Sequence, residues 1–276
     1  MAAVWPWGRK PSVAGGGGRC AAAGRSAADV PKWFGHAGID LRVGAQLDVL
    51  AELEASSYQE LFDALRTDAA LSPGPDADGR LVRNGYFPSP DAELYAAMIV
   101  RERPRRIVEV GSGFSTRVAR RALDWADLPS ELHVVDPEPR TDVEDVADVV
   151  EMRRVEDGGL TIEAGTLLFI DSSHTMTHHG DGPYLFCDLL PSLPAGVLVH
   201  VHDIYLPYDY PAVYVRRGYT EQYALHALLA GAPGYEVVCT PYLLARRHPE
   251  AMRAAFGDAV ARNHTFEGAS FWMRTR

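Results

Sequence analysis

Short apolar runs alternate with helical patterns from about residue 105 onward, and each run ends in a polar group. The runs are rich in β-branched or aromatic residues, which favours buried strands. Strands are predicted over residues 106–110, 132–136, 167–171 and 196–203, with two late strands near 235–239 and 270–273. Helices are predicted over residues 115–125, 143–150, 184–190 and 221–229. The alternation predicts an α/β fold with a doubly wound, mostly parallel sheet.

The first 83 residues differ in pattern from the rest of the chain. Residues 1–30 include four consecutive glycines and an Ala/Ser/Gly/Arg stretch with little to bury, which predicts a disordered tail. Residues 31–83 are predicted to form a helical extension, because apolar residues recur at helical spacing between Ile39 and Leu65. The extension ends in a Pro-, Gly- and Asp-rich surface loop and is expected to act either as a lid or as a dimer contact. Residues 84–276 are predicted to form the main domain.

Charge and cysteine content narrow the partners and the compartment. The 276 residues carry a net charge of −10, which is opposite to what a phosphate backbone attracts, so no nucleic-acid partner is expected. Cys20, Cys187 and Cys239 are scattered and form no CxxC pair, which disfavours a disulfide framework or a structural zinc site. The chain shows neither an apolar run of about 18 residues nor a secretory h-region. A cytoplasmic location without a membrane partner is therefore expected.

A glycine-rich turn follows the first predicted strand. In the run from Glu109 to Gly113, Gly111 and Gly113 allow a tight turn close to a ligand, although ordinary strand-to-helix turns also contain such pairs. Asp136 lies 23 positions after Gly113, near the spacing of about 20 at which an acid meets ribose hydroxyls. Thr116 stands where a dinucleotide fingerprint has its third glycine, so an adenosine ligand other than a dinucleotide is predicted.

This arrangement resembles the first two motifs of class I methyltransferases that use S-adenosylmethionine, which have a Rossmann-like fold. The resemblance implies that Asp136 takes the ribose hydroxyls and that Glu109 braces the turn. It implies a cofactor site formed by Glu109, Gly111, Ser112, Gly113, Ser115 and Asp136.

A second resemblance covers residues 84 to 229 and is to bacterial methyltransferase family 24. It rests on the separated runs Asn84-Gly85-Tyr86-Phe87, Val110 to Thr116, Phe169 to His174, Val199 to Pro207 and Glu221-Gln222-Tyr223. The family implies the fold and the cofactor but says little about the group that receives the methyl. Homodimerisation is expected from the general habit of the family.

Polar side chains with metal-binding character follow two of the predicted strands. Adjacent parallel strands lie about 4.8 Å apart, so Asp171, His202 and Asp203 are predicted to converge on one divalent ion. Carboxylates with water suit Mg²⁺, whereas an added imidazole favours Mn²⁺ or Fe²⁺. The alternative is that these groups cap strand ends and bond backbone amides.

The same groups are similar to those of metal-dependent small-molecule O-methyltransferases. The sugar-modifying members carry a His three positions after their first acid, as Asp171 and His174 do here, but His202 replaces the first acid of the later pair. Asp171 and His174 are predicted to be catalytic, with His174 as the general base. The alternative for His174 is a buried imidazole that bonds a neighbouring loop.

Three further groups have competing interpretations. His178, His179 and Asp181 are interpreted as a solvated loop that leads into a helix N-cap at Asp181, with a metal site as the alternative. Glu221 is interpreted as a first-turn helix charge, with a substrate contact as the alternative. Tyrosines after the fourth long strand form either an acceptor pocket or plain loop packing: Tyr205, Tyr208, Tyr210, Tyr214 and Tyr219.

The sequence therefore predicts a methyltransferase that uses S-adenosylmethionine on a small metabolite, with oxygen as the acceptor and a divalent ion (Mg, Mn or Fe) as a second cofactor. One alternative keeps the fold and cofactor but cyclises or cleaves S-adenosylmethionine. Another is a non-catalytic binding protein. The concentration of titratable groups at adjacent strand ends favours an enzyme.

Overall fold

The computed structural model describes residues 32–73, 78–262 and 268–276. The disordered tail predicted for residues 1–30 lies outside the described residues, as do residues 74–77 of the predicted surface loop. Within these described ranges, no helix has the length and apolar character needed to cross a bilayer.

The chain forms seven strands within the described ranges, with helices before and between them. The strands are β1 (Arg106–Val110), β2 (Glu131–Val135), β3 (Val149–Glu151), β4 (Thr166–Ile170), β5 (Leu198–Val201), β6 (Tyr235–Cys239) and β7 (Phe271–Thr275). The helices are α1 (Val43–Glu52), α2 (Ser56–Arg66), α3 (Asp91–Glu102), α4 (Phe114–Trp125), α5 (Asp181–Tyr184), α6 (Leu190–Ser192), α7 (Ala212–Arg217), α8 (Glu221–Gly231), α9 (Pro241–Arg247), α10 (Pro249–Phe256) and α11 (Asp258–Arg262). A π-helical turn, Leu185–Leu189, joins α5 to α6, and a short 3-10 turn, Val155–Asp157, follows β3.

The strands form one sheet in the order β3-β2-β1-β4-β5-β7-β6. The first five strands of that order are parallel, whereas β7 runs antiparallel to both β5 and β6. This order, with its single reversed strand, is that of the Rossmann-like class I methyltransferase fold, and it confirms the predicted fold class. Strand order reverses between β1 and β4, which is the position where ligands bind in open α/β sheets.

Helices cover both faces of the sheet, which is why the central strands are apolar throughout. Every residue of β4 is buried, and β1, β2 and β5 are exposed at most at one end. Side chains alternate between the two faces, so Ile107 and Leu167 join the core on the side of α3 and α4, whereas Val108 and Leu168 join the opposite core.

Helix α3 lies in the core on the first of these faces. Nine of its twelve residues, from Asp91 to Ile99, are buried. A helix that is apolar nearly all round has no polar stripe and hence no amphipathic periodicity. This is why the hydrophobic pattern does not predict it.

The predicted helix over residues 143–150 is wrong. Val143 and Ala147 close one helical turn, after which the chain extends into β3 and pairs with β2. Asp148 causes the change, because its carboxylate accepts a bond from the Leu132 amide (2.7 Å) while its own amide donates to the Leu132 carbonyl (2.8 Å). These two bonds place the β-branched residues Val149 and Val150 beside β2.

The N-terminal extension packs on the sheet domain. Buried residues of α1 and α2, among them Leu50, Leu61 and Phe62, join the same core as α3 and α4. Upstream of α1, the amides of Phe34 and Gly35 donate to the carbonyl of Pro207, in the loop after β5. The choice between a lid and a dimer contact stays a prediction.

Candidate active site

Strand pairing continues one residue beyond the carboxyl ends of the central strands. The Gly111 amide donates to Val135, the Asp171 amide to Val110 and the His202 amide to Ile170, at 3.1, 2.9 and 2.9 Å. Gly111, Asp171 and His202 therefore follow neighbouring strands at one edge of the sheet, beside the point where strand order reverses.

Gly111 is required by the close approach of two loops. Its φ is +85°, and a Cβ there would lie 2.1 Å from the carbonyl oxygen of Asp171. Gly113 also has a positive φ, +149°, but a Cβ on it would meet nothing within 4 Å. The turn therefore has no room for a side chain at Gly111, next to the Asp171 loop, but it leaves empty space beside Gly113.

Glu109 braces this turn from below. Its side chain is fully buried and accepts bonds from the Tyr95 hydroxyl (2.8 Å) and the Thr116 hydroxyl (2.6 Å). Thr116 Oγ1 in turn accepts the Gly113 amide at 3.1 Å. Burial raises the pKa of Glu109 to about 7, against the opposing effect of the two hydroxyl donors.

Asp136 lies at the end of β2, opposite the turn. Its carboxylate accepts bonds from the Ser112 hydroxyl and the Glu138 amide, both at 2.8 Å. A carboxylate has about four acceptor positions, so others remain for a ligand. Ser115 is buried in the first turn of α4, where its backbone amide belongs to the unbonded helix start. The predicted cofactor residues thus surround one turn.

The loop that contains Tyr86 borders the same turn. Asn84 Oδ1 accepts the amides of Tyr86 and Phe87, which fixes the loop. Tyr86 is 54% exposed, stacks on Phe114 at 6.2 Å between ring centroids, and lies under the guanidinium of Arg140 at 4.7 Å. An exposed aromatic side chain thus lies beside the turn and the loop after β2.

The structure brings together all four residues of the predicted metal and catalytic group. Asp171, His202 and Asp203 each offer one ligand atom within 4.8 Å of the others. His174 Nε2 lies 3.2 Å from Asp171 Oδ1 and 3.6 Å from Asp203 Oδ2. His202 Nδ1 lies 3.6 Å from the same Asp171 oxygen. Two carboxylates and two imidazoles thus face a common space.

His202 is buried with its Nδ1 atom lacking a hydrogen-bond partner. Its other nitrogen, Nε2, lies 3.8 Å from Asp91 Oδ2, at the start of α3. Asp91 is itself held by the Ala269 amide (2.8 Å) and the Ser270 hydroxyl (2.6 Å). Burial alone lowers the pKa of His202, but Asp203, Asp171 and Asp91 outweigh it and raise the pKa well above 6.5.

His174 is held from behind by Glu221. Its Nδ1 lies 2.7 Å from Glu221 Oε1, and the Ser172 hydroxyl donates to the other oxygen of Glu221 at 3.2 Å. Both His174 and Glu221 are almost completely buried. Burial lowers the pKa of His174, but Glu221 and Asp171 outweigh it and raise the pKa to about 10. The same two imidazoles hold the pKa of Asp171 well below its usual range despite its burial.

Two residues of this cluster have strained backbones. His174 has a φ of +64° and Asp203 a φ of +57°, a region that costs a residue other than glycine about 1 to 2 kcal/mol. Such strain persists where the surrounding structure fixes the conformation, often at functional sites. Both side chains lie close to Asp171.

Asp91 and Glu221 are the two cluster residues whose roles the sequence does not predict. Glu221 does stand in the first turn of α8, as interpreted, but its carboxylate also binds His174, 47 positions earlier. Asp91 follows Ser-Pro at a helix start, where an acid usually offsets the helix dipole. No local signal distinguishes these acids from ordinary first-turn charges.

The remaining candidates divide between the site and the core. His178 and His179 are exposed, as interpreted, whereas Asp181 is the first residue of α5 and binds the amide and hydroxyl of Ser173. Of the five tyrosines after β5, three are buried in the core: Tyr205, Tyr208 and Tyr210. Tyr219 and Tyr214 are half-buried, and Tyr219 stacks on His174 at 4.3 Å.

Comparisons of sequence give little information. No family model matches the chain, so the resemblance to methyltransferase family 24 stays a prediction. An uncharacterised protein of Archaeoglobus fulgidus is 40% identical over 85 residues, which are 30% of this chain and 34% of that protein. The match thus spans about a third of the length of that curated relative.

Comparisons of structure find methyltransferases with low similarity. The chain resembles methyltransferase PaMTH1 of Podospora anserina bound to S-adenosylhomocysteine (SAH), with 17% identity, a TM-score of 0.42 and coverage of 83% of this chain and 94% of that one. It also resembles O-methyltransferase TomG of Streptomyces achromogenes in complex with S-adenosylmethionine (SAM). The identity is 18%, the TM-score is 0.40, and the match covers 66% of this chain and 81% of that one. An O-methyltransferase of Bacillus cereus in complex with SAH has 14% identity and a TM-score of 0.43, and the match covers 80% of this chain and 91% of that one. These values are too low to carry the activities of those proteins over to this chain, and its fold is assigned from its own strand order.

Proposed function

We propose that the protein is an enzyme that transfers a methyl group from SAM to a hydroxyl of a small metabolite, assisted by a divalent ion. One observation carries the proposal. The Gly111–Gly113 turn and Asp136 lie where strand order reverses, and the buried cluster of carboxylates and imidazoles lies at the neighbouring strand ends. A donor site and a site for deprotonating an acceptor are thus adjacent.

The residues of the turn fit the cofactor. Gly113 leaves its surroundings open, the start of α4 presents free amides, and Asp136 keeps acceptor positions for two ribose hydroxyls. The buried carboxylate of Glu109 holds the turn through Thr116. These residues would bind and orient the cofactor, which supplies an electrophilic methyl group when bound.

The residues of the cluster fit a divalent ion. The buried Nδ1 of His202 has no hydrogen-bond partner and faces the carboxylates of Asp171 and Asp203. Such a nitrogen costs about 1 to 3 kcal/mol when it is left unpaired, so a ligand for it is favoured. A bound ion would supply Lewis acidity that lowers the pKa of an acceptor hydroxyl.

The side chains around the cluster would position the acceptor. Tyr219 forms a wall over His174, and Tyr214 lies 5.0 Å from Tyr219, ring to ring. Half-buried tyrosines of this kind suit a flat or glycosidic molecule. Glu221 occupies Nδ1 of His174, so Nε2 is the nitrogen that faces the cluster. In-line alignment of acceptor and methyl group supplies much of the rate of such a displacement.

Titration calorimetry tests the cofactor. SAM and SAH are each added to the full chain, and micromolar binding is expected that Asp136→Ala abolishes, because the ribose hydroxyls lose their acceptor. The exposed residue Asp124 provides a matched control, and Asp124→Ala should bind as the wild type does. Absence of binding to the wild type would contradict the proposal.

Product analysis tests the reaction. Methyl transfer leaves SAH, whereas cyclisation of the aminobutyryl group leaves methylthioadenosine. We expect SAH alone when the enzyme turns over with a pool of small hydroxylated metabolites. Methylthioadenosine as the product would favour the cyclase alternative, and binding without either product would favour a non-catalytic protein.

A further inference from the structure

We propose that His174 is a fourth protein ligand of the ion, so that the site holds a transition metal such as Mn²⁺ or Fe²⁺ in preference to Mg²⁺. The inference rests on the metal-assisted function proposed above. It adds a ligand to the predicted set of Asp171, His202 and Asp203, and it assigns the class of ion.

One ring nitrogen of each histidine faces Asp171. His174 Nε2 and His202 Nδ1 approach the same oxygen, Asp171 Oδ1, at 3.2 and 3.6 Å. Asp203 completes the group, with Oδ2 at 3.6 Å from His174 Nε2 and Oδ1 at 4.0 Å from His202 Nδ1. Ligands held about 2.1 Å from one ion are separated from each other by roughly 3 to 4 Å. Each of the two imidazole nitrogens therefore lies at ligand-to-ligand spacing from both carboxylates.

The other ring nitrogen of each histidine lies near a carboxylate that does not belong to the ligand set. Glu221 lies behind His174, at 2.7 Å from Nδ1, and Asp91 lies behind His202, at 3.8 Å from Nε2. Both carboxylates are buried and are themselves held, Glu221 by Ser172 and Asp91 by the loop before β7. Metal-ligating histidines usually direct their second nitrogen at such a carboxylate, which fixes the ring and the tautomer. Both histidines have a buried carboxylate behind the second nitrogen, which supports the same role for His174 as the one proposed for His202.

Ligand chemistry gives the class of ion. A set of two imidazoles and two carboxylates differs from the carboxylate and water shells that Mg²⁺ prefers. Imidazole ligands favour divalent ions of the first transition row over Mg²⁺. The assignment also replaces the base role predicted for His174, because a nitrogen that ligates an ion has no lone pair left to accept a proton.

Metal titration of the full chain tests His174 as a ligand. Bound metal is first removed with a chelator, and SAM is left out. We expect Mn²⁺ to bind at least tenfold more tightly than Mg²⁺, and His174→Gln to weaken Mn²⁺ binding about 100-fold or more. Glu221→Gln should weaken it about 10- to 100-fold, as loss of an orienting carboxylate does. His178→Gln, at an exposed histidine four positions away, is the matched control and should leave the affinity unchanged.

Spin-echo spectroscopy of the Mn²⁺ complex counts coordinated imidazoles independently of affinity and of activity. Two coordinated imidazoles are expected in the wild type and in His178→Gln, and one is expected in His174→Gln. Equal Mn²⁺ affinity and an equal imidazole count in wild type and His174→Gln would overturn the ligand role, and equal affinity of the wild type for Mg²⁺ and Mn²⁺ would overturn the ion class. Calorimetry with SAM on the same samples separates the two proposals: if SAM fails to bind while the metal pattern holds, only the proposed function fails.

Discussion

Among the glycines in the described ranges, Gly111 leaves the least room for a side chain. Alanine there would combine a strained backbone with a Cβ 2.1 Å from the Asp171 carbonyl. We expect Gly111→Ala to lower the free energy of unfolding by about 3 kcal/mol or more and to abolish SAM binding. Urea unfolding and calorimetry measure the two effects.

Gly218 provides the control for that substitution. It also has a positive φ, +78°, but a Cβ there would meet nothing within 4 Å. Gly218→Ala should therefore cost only the backbone strain, about 1 kcal/mol. Equal losses in the two variants would show that contact with the Asp171 carbonyl contributes nothing.

Glu109 makes the stability depend on pH. Its folded pKa, about 7, lies above the ordinary value of 4.5, so the folded state binds more protons between these limits. The stability that Glu109 contributes is therefore highest below pH 4.5 and falls as the pH rises through 7, by about 3 kcal/mol in all. Glu109→Gln keeps the shape and should remove this fall. Urea unfolding at pH 5 and pH 8 measures it, and an unchanged difference between the two pH values in the variant would refute the assignment.

Local pattern was enough to predict some site residues and not others. Gly111, Gly113 and Asp136 were predictable because a tight turn and a strand-end acid have fixed offsets along the chain. Asp171 and Asp203 were predictable because neighbouring parallel strands bring their ends together. Glu221 and Asp91 act through contacts with His174 and His202 that no local spacing encodes.

Among the elements, β3 is anchored to β2 at its start by one side chain, Asp148. The Asp148 carboxylate accepts bonds from the Leu132 amide and from Arg120, both at 2.7 Å. Asp148→Ala should lower the free energy of unfolding by about 1 to 2 kcal/mol and speed amide exchange in Val149–Glu151. Asp145→Ala, at an exposed acid in the preceding turn, is the control. Slow exchange in both variants would show that β3 holds without this bond.

The pattern predicted elements best where their faces differ in polarity or where apolar runs are bounded by polar groups. Helix α4 alternates buried Val118 and Ala122 with exposed positions, and it was predicted. Helix α3 is buried nearly all round and has no such contrast. Residues 143–150 have a valine-rich composition compatible with either state, and the tertiary bond of Asp148 decides between them.

Binding of SAM as proposed would be linked to folding of the whole molecule, because the proposed cofactor residues come from separate parts of the sheet. SAM at about 100 times its Kd should raise the free energy of unfolding by about 2.7 kcal/mol. Thermal unfolding with and without SAM measures this. Asp136→Ala should show no increase, whereas Asp124→Ala should show the full one. A stabilisation that persists in Asp136→Ala would place the binding of SAM elsewhere.

The mixed set of imidazoles and carboxylates has a practical consequence for purified protein. Affinities of such sites rise along the first transition row to copper, so nickel or copper would bind more tightly than manganese or iron. If the proposed site binds a metal, protein eluted from a nickel column would carry nickel between Asp171 and His202. In the cell, the supply of each ion would decide which one fills the proposed site.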